Sequence, residues 1–346
     1  MHNVDFITIV KYAWLAYDSS RSIEEITDIS AQVSTNHVYK IVLADQSFVI
    51  AKLSHFGTFN HFVEDHTIIN ALSNNLPYPF DHFLSRALMY GDKIFVHRFT
   101  NREIDAWIIF YRPIGIHTSL PKKLPEDLIV KLGGQFGKFH RACHSIRHTL
   151  PPSSKTTRSD IERLLKAVEE DTLCPLLKSH YDDIRYHCNQ FLSFIERPEL
   201  DDIERIPVFI DWNIGNFSIT EEGNLYSRWD YDWFRMSSRM MDFYFLSRIV
   251  SEVGDRTTFT YNVEPMMEDR FMIFLEAYHK EYPLTRAEIE LMGEVYRFFI
   301  LHYVIQYGQY FFIRRYADQF QTLAFKEYLP SVRHFDPQPI INHLKI

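Results

Sequence analysis

The hydrophobic and polar positions of the chain follow two periods that change near residue 113. From Ile26 to about Pro113, short β-branched and aromatic runs alternate with turn residues, which is typical of strands. The predicted strands lie in HVYKIVLA, SFVIAKL, KIFVHRF and AWIIFYRPI. Between them, Phe59 to Leu72 places apolar residues near helical spacing. The first part of the chain is therefore expected to form an antiparallel sheet with one helix.

After Gly115 the apolar positions recur at helical spacing in EDLIVKLGGQFGKFHRAC, in SDIERLLKAVEEDTLCPLL and from Asp269 to Tyr328. Two short strand-like runs lie among these helices, IPVFIDWNIGNFSIT and GNLYSRWDYDWF. The turn Glu222-Gly223-Asn224 separates them and predicts a hairpin. The whole pattern indicates an α+β fold with two domains, residues 1–113 and residues 114–346.

Size and composition are compatible with two ordinary cores. The chain has 346 residues, and domains cluster near about 100–150. No apolar run approaches the roughly 20 residues of a membrane-spanning helix, and the start lacks a basic leader. Cys143, Cys174 and Cys188 lack metal-site spacing, and the net charge of −8 disfavours a nucleic-acid-binding surface. We expect a soluble cytoplasmic protein with reduced thiols and no membrane or nucleic-acid partner.

The predicted hairpin carries the most informative polar residues. Asp211, Asn216 and Asp230 are flanked by apolar residues, where a carboxylate is costly without a partner. Their side-chain oxygens would converge at one end of the hairpin and suit Mg²⁺. Phosphoryl transfer uses such a set, with one Asp to accept the proton of the attacking hydroxyl and an Asn and an Asp to hold metal. The alternative is that these residues only shape turns.

This hairpin resembles the aminoglycoside phosphotransferase and choline kinase-like group of protein-kinase-fold enzymes. The catalytic loop of that group runs HGDxHxGN, and a strand carrying IDWD or IDFE follows. The resemblance implies a protein-kinase-like two-lobed fold with a nucleotide-binding first lobe and a catalytic, acceptor-binding second lobe. It places Asp211 on the catalytic aspartate, Asn216 and Asp230 on the metal ligands, and Asp232 on the second acid of the strand.

The chain departs from the family pattern inside the catalytic loop. Phe209-Ile210 replaces the leading His-Gly, and Asn213 replaces the inner His. The family histidines support the loop, so the departure bears on loop geometry and rate and leaves the metal ligands intact. Asp242 matches a family aspartate that is expected to hydrogen-bond the loop.

The resemblance also implies nucleotide-binding residues in the first lobe. Lys52, in FVIAKL, falls on the phosphate-binding lysine, and Glu64 of the following helix is the expected ion-pair partner. Taken alone, Lys52 could equally be a surface lysine at a strand end. The predicted phosphate loop consists of Ser34, Thr35 and Asn36, and the predicted adenine-binding hinge of Phe110, Tyr111 and Arg112.

The acceptor is the least determined part of the site. Tyr303, Tyr307 and Tyr310 recur at helical spacing, which predicts either core packing or an aromatic pocket for a quaternary amine or sugar ring. Asp232 is a further candidate substrate residue. Three other acids could receive an amino-bearing acceptor instead: Glu268, Asp269 and Glu276.

The function expected from the sequence is transfer of the γ-phosphate of ATP or GTP, with Mg²⁺, to a hydroxyl of a small molecule. The acceptor would be an amino alcohol, a sugar or an aminoglycoside-like polyol. The glycine-poor phosphate loop and Phe209-Ile210 favour an alternative, a catalytically lapsed kinase that binds nucleotide or a partner. An unrelated hydrolase or metalloprotein is a third possibility.

Overall fold

The computed structural model describes residues 5–31, 34–253 and 260–346. A five-stranded antiparallel sheet, in the order β1-β2-β3-β7-β6, forms the first lobe, and β4 pairs with β5 beside it. The strands are β1 (Ile23–Asp28), β2 (His37–Leu43), β3 (Phe48–Ser54), β4 (Met89–Tyr90), β5 (Lys93–Ile94), β6 (Val96–Thr100) and β7 (Asp105–Tyr111).

Helix α1 (Phe6–Tyr17) covers the outer face of this sheet, and α2 (Phe59–Asn75) follows β3. Because side chains alternate along a strand, Ala51 and Leu53 of β3 join Trp14 of α1 in a small core. Lys52 lies between them in the sequence and points to the inner face, where it is 5% exposed. The sheet therefore directs one buried lysine towards the second lobe.

The second lobe is mainly helical. Gly133 and Gly137 let α3 pack closely on α7, since a Cβ at Gly133 would lie 2.4 Å from the Phe274 carbonyl oxygen. Residues 300–306 and 324–328 form π-helical turns. The other elements are α3 (Glu126–Ile146), α4 (Thr157–Glu169), α5 (Tyr181–Ile195), β8 (Ile206–Val208), β9 (Phe217–Ile219), β10 (Leu225–Arg228), β11 (Arg235–Ser237), α6 (Met240–Val250), α7 (Asp269–Glu281), α8 (Arg286–Phe299), α9 (Gly308–Phe311), α10 (Arg314–Leu323), α11 (Leu329–Ser331) and α12 (Gln338–Leu344).

The α+β fold, the antiparallel sheet and the β9–β10 hairpin confirm the sequence prediction. The expectation of one helix in the first lobe omits α1. The domain boundary stays a prediction, because one large core includes Ile69 of α2 and Tyr111 of β7 together with the helical lobe. Within the described ranges, the three cysteines are free thiols and no helix has the length and apolar character that crossing a membrane requires.

Candidate active site

The β9–β10 hairpin brings the predicted catalytic and metal-binding residues together. Phe217 pairs with Arg228, and Gly223, with φ of 79°, makes the turn between the strands. Just before β9 and after β10, the Trp229 amide donates to the Asn216 carbonyl oxygen at 3.0 Å. Asn216 and Asp230 thus meet at the open end of the hairpin, as the sequence predicts.

Asp242, at the start of α6, holds the loop that precedes Asp211. Its Oδ1 accepts hydrogen bonds from the amides of Phe209 (2.9 Å) and Ile210 (2.6 Å). Its Oδ2 lies 3.0 Å from Nε2 of His140, whose Nδ1 lies 2.8 Å from the Tyr278 hydroxyl. The contact expected for Asp242 is therefore formed. His140 of α3, which is fully buried, supports it.

Asp211 lies in a hydrogen-bonded loop. Its Oδ1 accepts from Nδ2 of Asn213, the residue that stands where the family has its inner histidine. Its carbonyl oxygen accepts from Nδ2 of Asn216 at 3.2 Å and from Nη2 of Arg228 at 3.1 Å. The carboxylate and the carbonyl of Asp211 are both fixed by neighbouring side chains.

Arg228 is a fully buried arginine that sequence reasoning missed. Its guanidinium lies 4.1 Å from the ring centroid of Trp212 and 4.7 Å from that of Phe209. Nη2 also approaches the Asp230 carbonyl oxygen at 3.4 Å. Burial lowers the pKa of Arg228, and the negative charge of Asp211 opposes that effect. A basic residue at the end of a buried strand, directly before the acidic motif, was the available signal.

Lys52 bridges the two acids that follow β10. Its Nζ lies 2.8 Å from Oδ1 of Asp230 and 2.6 Å from Oδ1 of Asp232. Burial alone would lower the pKa of Lys52, but the two carboxylates outweigh it and raise that pKa. Burial raises the pKa of Asp232, whereas at Asp230 the opposing charge of Lys52 prevails over burial and lowers the pKa. A cation therefore already lies between these carboxylates.

The expected ion pair between Lys52 and Glu64 is not formed, so this prediction is wrong for the structure. Glu64 Oε1 accepts from the Ser154 amide at 2.8 Å and from the Ser153 hydroxyl at 3.0 Å. The next residue, Asp65, pairs with Lys155 at 2.6 Å. The phase of α2 directs both acids to the segment before α4 and away from Lys52.

The predicted phosphate-loop residues contact the helical lobe. Nδ2 of Asn36 donates to Oδ2 of Asp232, and the Ser54 hydroxyl donates to Oδ1 of Asn36 at 3.0 Å. The Thr35 hydroxyl donates to the Tyr310 carbonyl oxygen. Ser34 forms an isolated β-bridge with Phe312. This segment lies beside the acid pair, and its binding of phosphate stays a prediction.

Two of the predicted hinge residues form backbone hydrogen bonds within the protein. The Phe110 carbonyl oxygen accepts from the Leu88 amide at 2.7 Å, and the Arg112 amide donates to the Arg86 carbonyl oxygen at 2.9 Å. The binding of adenine by Phe110, Tyr111 and Arg112 stays a prediction. Tyr111 hydrogen-bonds His66 through its hydroxyl at 2.6 Å.

The three candidate substrate residues line one cavity of about 110 Å³, which lies between α2, α4 and residues 302–311. They are Asp232, Tyr303 and Tyr307. Tyr303 is 4% exposed and packs on Trp233 with ring centroids 4.8 Å apart, so it is also a core residue. The Tyr307 hydroxyl accepts from Arg163 at 3.3 Å. Of the alternative acids, Glu268 accepts from Ser251 and Glu276 pairs with Lys280.

The donor set fits a hard cation. Among the described residues, no group of three or more His, Cys, Asp or Glu is arranged to hold a metal. A Mg²⁺ site completed by phosphate oxygens needs only a carboxylate and an amide from the protein. Asn216 and Asp230 offer these oxygens, and the ammonium of Lys52 already contacts the acid pair.

Comparison with known proteins supports the fold. Neither a family model nor a curated protein matches the chain. Among solved structures, an amicoumacin kinase in complex with AMP-PNP and Ca²⁺ is 16% identical, with 97% of each chain covered and a TM-score of 0.64. A microcompartment-associated aminopropanol kinase is 15% identical, covering 94% of this chain and 98% of that one, with a TM-score of 0.55.

A third solved structure, the GDP complex of aminoglycoside 2′-phosphotransferase-IIIa, is 11% identical, with 94% of this chain and 98% of that chain covered and a TM-score of 0.55. At such identities the likeness establishes the fold alone. It confirms the two-lobed protein-kinase-like architecture that the sequence predicts.

Proposed function

From the fold that the chain shares with aminoglycoside phosphotransferase-like kinases, we propose that it is a small-molecule kinase. It would transfer the γ-phosphate of ATP or GTP to a hydroxyl of its acceptor, with Mg²⁺. One observation carries this proposal: hydrogen bonds join Asp211, Asn216 and Asp230 into one unit. Nδ2 of Asn216 and Nη2 of Arg228 both donate to the Asp211 carbonyl oxygen, and the same Nη2 approaches the Asp230 carbonyl oxygen. Lys52 of the sheet faces that unit.

Asp211 is the proposed general base. It accepts the proton of the acceptor hydroxyl while the hydroxyl oxygen forms its bond to the γ-phosphorus. The bond from that phosphorus to the β–γ bridging oxygen breaks, and the nucleoside diphosphate leaves with the electron pair. Asp242 and Arg228 keep the loop in place through the backbone of residues 209–211.

Asn216 and Asp230 are the residues that would hold Mg²⁺. Bound there, Mg²⁺ would supply positive charge to the phosphate oxygens during the transfer. Lys52 would then bind phosphate in place of the carboxylates it now contacts. Residues 1–113 and 114–346 are the proposed lobes, with Ser34, Thr35 and Asn36 over the phosphates and the segment at Tyr111 near the base.

The test is nucleotide consumption with Mg²⁺ against pooled amino alcohols, sugars, aminoglycosides and hydroxy acids. Asp211→Asn is expected to reduce acceptor-dependent turnover by about 10²–10⁴-fold, the contribution of a general base. Binding of the Mg²⁺–nucleotide complex should persist. Asp171→Asn, an exposed aspartate paired with Lys178, is the matched control and should keep its turnover.

Two results would count against the proposal. Equal turnover in the wild type and Asp211→Asn would remove Asp211 from the mechanism. Nucleotide binding without turnover of any acceptor would favour the lapsed kinase, an alternative motivated by Phe209-Ile210.

A further inference from the structure

In one part of the cavity beside Asp232, two arginines share a single carboxylate, that of Asp160. We infer that the acceptor is a hydroxyl compound that carries an anionic group, such as a carboxylate, next to an apolar body. This inference rests on the proposed kinase function and specifies its substrate class.

Three basic and three acidic side chains line the cavity, but they are not evenly paired. Lys155 pairs with Asp65 at 2.6 Å. Arg235 and Arg163 share one partner, Asp160, with Arg163 Nη1 at 3.4 Å from its Oδ1. The part of the cavity at Asp160 therefore has one more basic than acidic group, whereas the third acid, Asp232, contacts Lys52, which it shares with Asp230.

The histidines of the cavity do not change this balance. Burial lowers the pKa of His302 to about 3 and that of His66 to about 3, so both are neutral near pH 7. Burial also lowers the pKa of His61. The excess positive charge at Asp160 therefore comes from Arg163 and Arg235.

Arg163 is the group best placed to meet an anion. Its side chain is 44% exposed, whereas those of Arg235 and Lys155 are 2% and 14% exposed. A guanidinium group binds a carboxylate through two parallel hydrogen bonds. Arg163 can therefore exchange its long contact to Asp160 for shorter hydrogen bonds to an anionic group of the acceptor.

Aromatic rings form the remaining wall. Phe56 of the first lobe meets Phe311 of the second with ring centroids 4.7 Å apart, and Phe62 and Phe234 also line the cavity. Such walls suit a ring or a short apolar group. A polycation would instead bring ammonium groups against the cations of the cavity, and like charges in a partly buried site repel strongly.

The experiment compares hydroxy acids that have an apolar body with their methyl esters, which lack the negative charge and add one methyl group. N-benzoyl-L-serine and its methyl ester are one such pair, and kanamycin represents the polycations. We expect wild-type kcat/KM to be at least tenfold higher for the acids than for the esters or kanamycin. Arg163→Glu should raise KM for the acids at least tenfold and leave KM for the nucleotide unchanged.

Arg163→Lys keeps the charge and should retain part of the preference. Arg158→Glu on the same helix is the matched control, because Arg158 is paired with Glu196 and does not line the cavity. This control separates a local effect from a change in the overall charge.

The inference is overturned if esters or kanamycin are used as well as the acids, or if Arg163→Glu leaves KM for the acids unchanged. The inference is also overturned if the enzyme phosphorylates another class of acceptor and none of the hydroxy acids. In each of these cases the kinase proposal stands. If the Mg²⁺–nucleotide complex binds but no class is phosphorylated, the proposed function itself fails, and this inference fails with it.

Discussion

At the scale of single residues, Ile210 adopts a backbone conformation that branched residues rarely adopt. Its φ is 63°, in the left-handed region that favours glycine, and its side chain is buried. In the kinase family that the hairpin sequence resembles, this position is the glycine of the His-Gly pair. For a residue with a Cβ such a conformation costs about 1–2 kcal/mol. The hydrogen bond from the Ile210 amide to Asp242 holds it in place.

The strain at Ile210 predicts that glycine is more stable than alanine at this position, the reverse of the usual order. Ile210→Ala and Ile210→Gly both remove a buried side chain, at a cost of about 2–5 kcal/mol. Because glycine tolerates a positive φ, we expect Ile210→Gly to be about 1 kcal/mol more stable than Ile210→Ala in urea unfolding. Ile184, buried inside α5, is the control site, because Ile184→Gly should be about 1 kcal/mol less stable than Ile184→Ala. The same order at both sites would refute the assignment of strain.

Residues close in sequence were predictable, and long-range partners were not. Asp211, Asn216 and Asp230 lie on one hairpin, so local pairing alone brings them together. The partner of Lys52 depends on the rotation of α2 and on how the lobes pack. The sequence shows an acid at 64 and another at 65, but neither position records which side of the helix faces the sheet.

At the scale of elements, His66 joins α2 to β7. Its Nδ1 donates to the Phe62 carbonyl oxygen at 2.8 Å, and its Nε2 accepts from the Tyr111 hydroxyl at 2.6 Å. This arrangement requires the neutral ring, since a protonated Nε2 cannot accept. Burial lowers the pKa of His66 from 6.5 to about 3.

This histidine makes the fold sensitive to acid. Its contribution is complete above the unfolded-state pKa of 6.5 and is lost as the pH falls towards the folded-state pKa of about 3. Between pH 7 and pH 5 the wild type should lose about 2 kcal/mol more stability than His66→Gln, which lacks the titrating ring. Urea unfolding at the two pH values measures the difference. Parallel losses in both proteins would show that His66 is not the acid-sensitive group.

Elements with a clear period were predicted, and those with a mixed pattern were missed or merged. The β-branched and aromatic runs HVYKIVLA and SFVIAKL, each bounded by turn residues, correctly predicted β2 and β3. KIFVHRF is divided between β5 and β6 by one residue, a break that its continuous β-branched and aromatic pattern hides. Helix α1 was not predicted, although Ile9, Val10, Ala13 and Trp14 form its buried face. Its run of four β-branched residues, Ile7 to Val10, also suits a strand.

At the scale of the whole molecule, side-chain contacts join the sheet lobe to the helical lobe around the proposed site. They include Lys52 with Asp230 and Asp232, Asn36 with Asp232, Thr35 with Tyr310, and Phe56 with Phe311. Each joins residues far apart in the chain, so no local pattern records them. The two ion pairs have a direct consequence, because Lys52 occupies carboxylates that a metal would need.

Lys52 and Mg²⁺ should therefore compete for the acid pair. In the absence of nucleotide, Lys52→Met leaves Asp230 and Asp232 without their shared cation. Metal that binds only the folded state adds RT ln(1 + [Mg²⁺]/Kd), about 1.4 kcal/mol at tenfold excess over Kd. We expect Mg²⁺ to raise the melting temperature of Lys52→Met more than that of the wild type. Lys166→Met, at a largely exposed lysine of α4, should respond like the wild type. Adding Asp230→Ala to Lys52→Met should abolish the extra response, whereas equal responses in the wild type and Lys52→Met would exclude competition at this site.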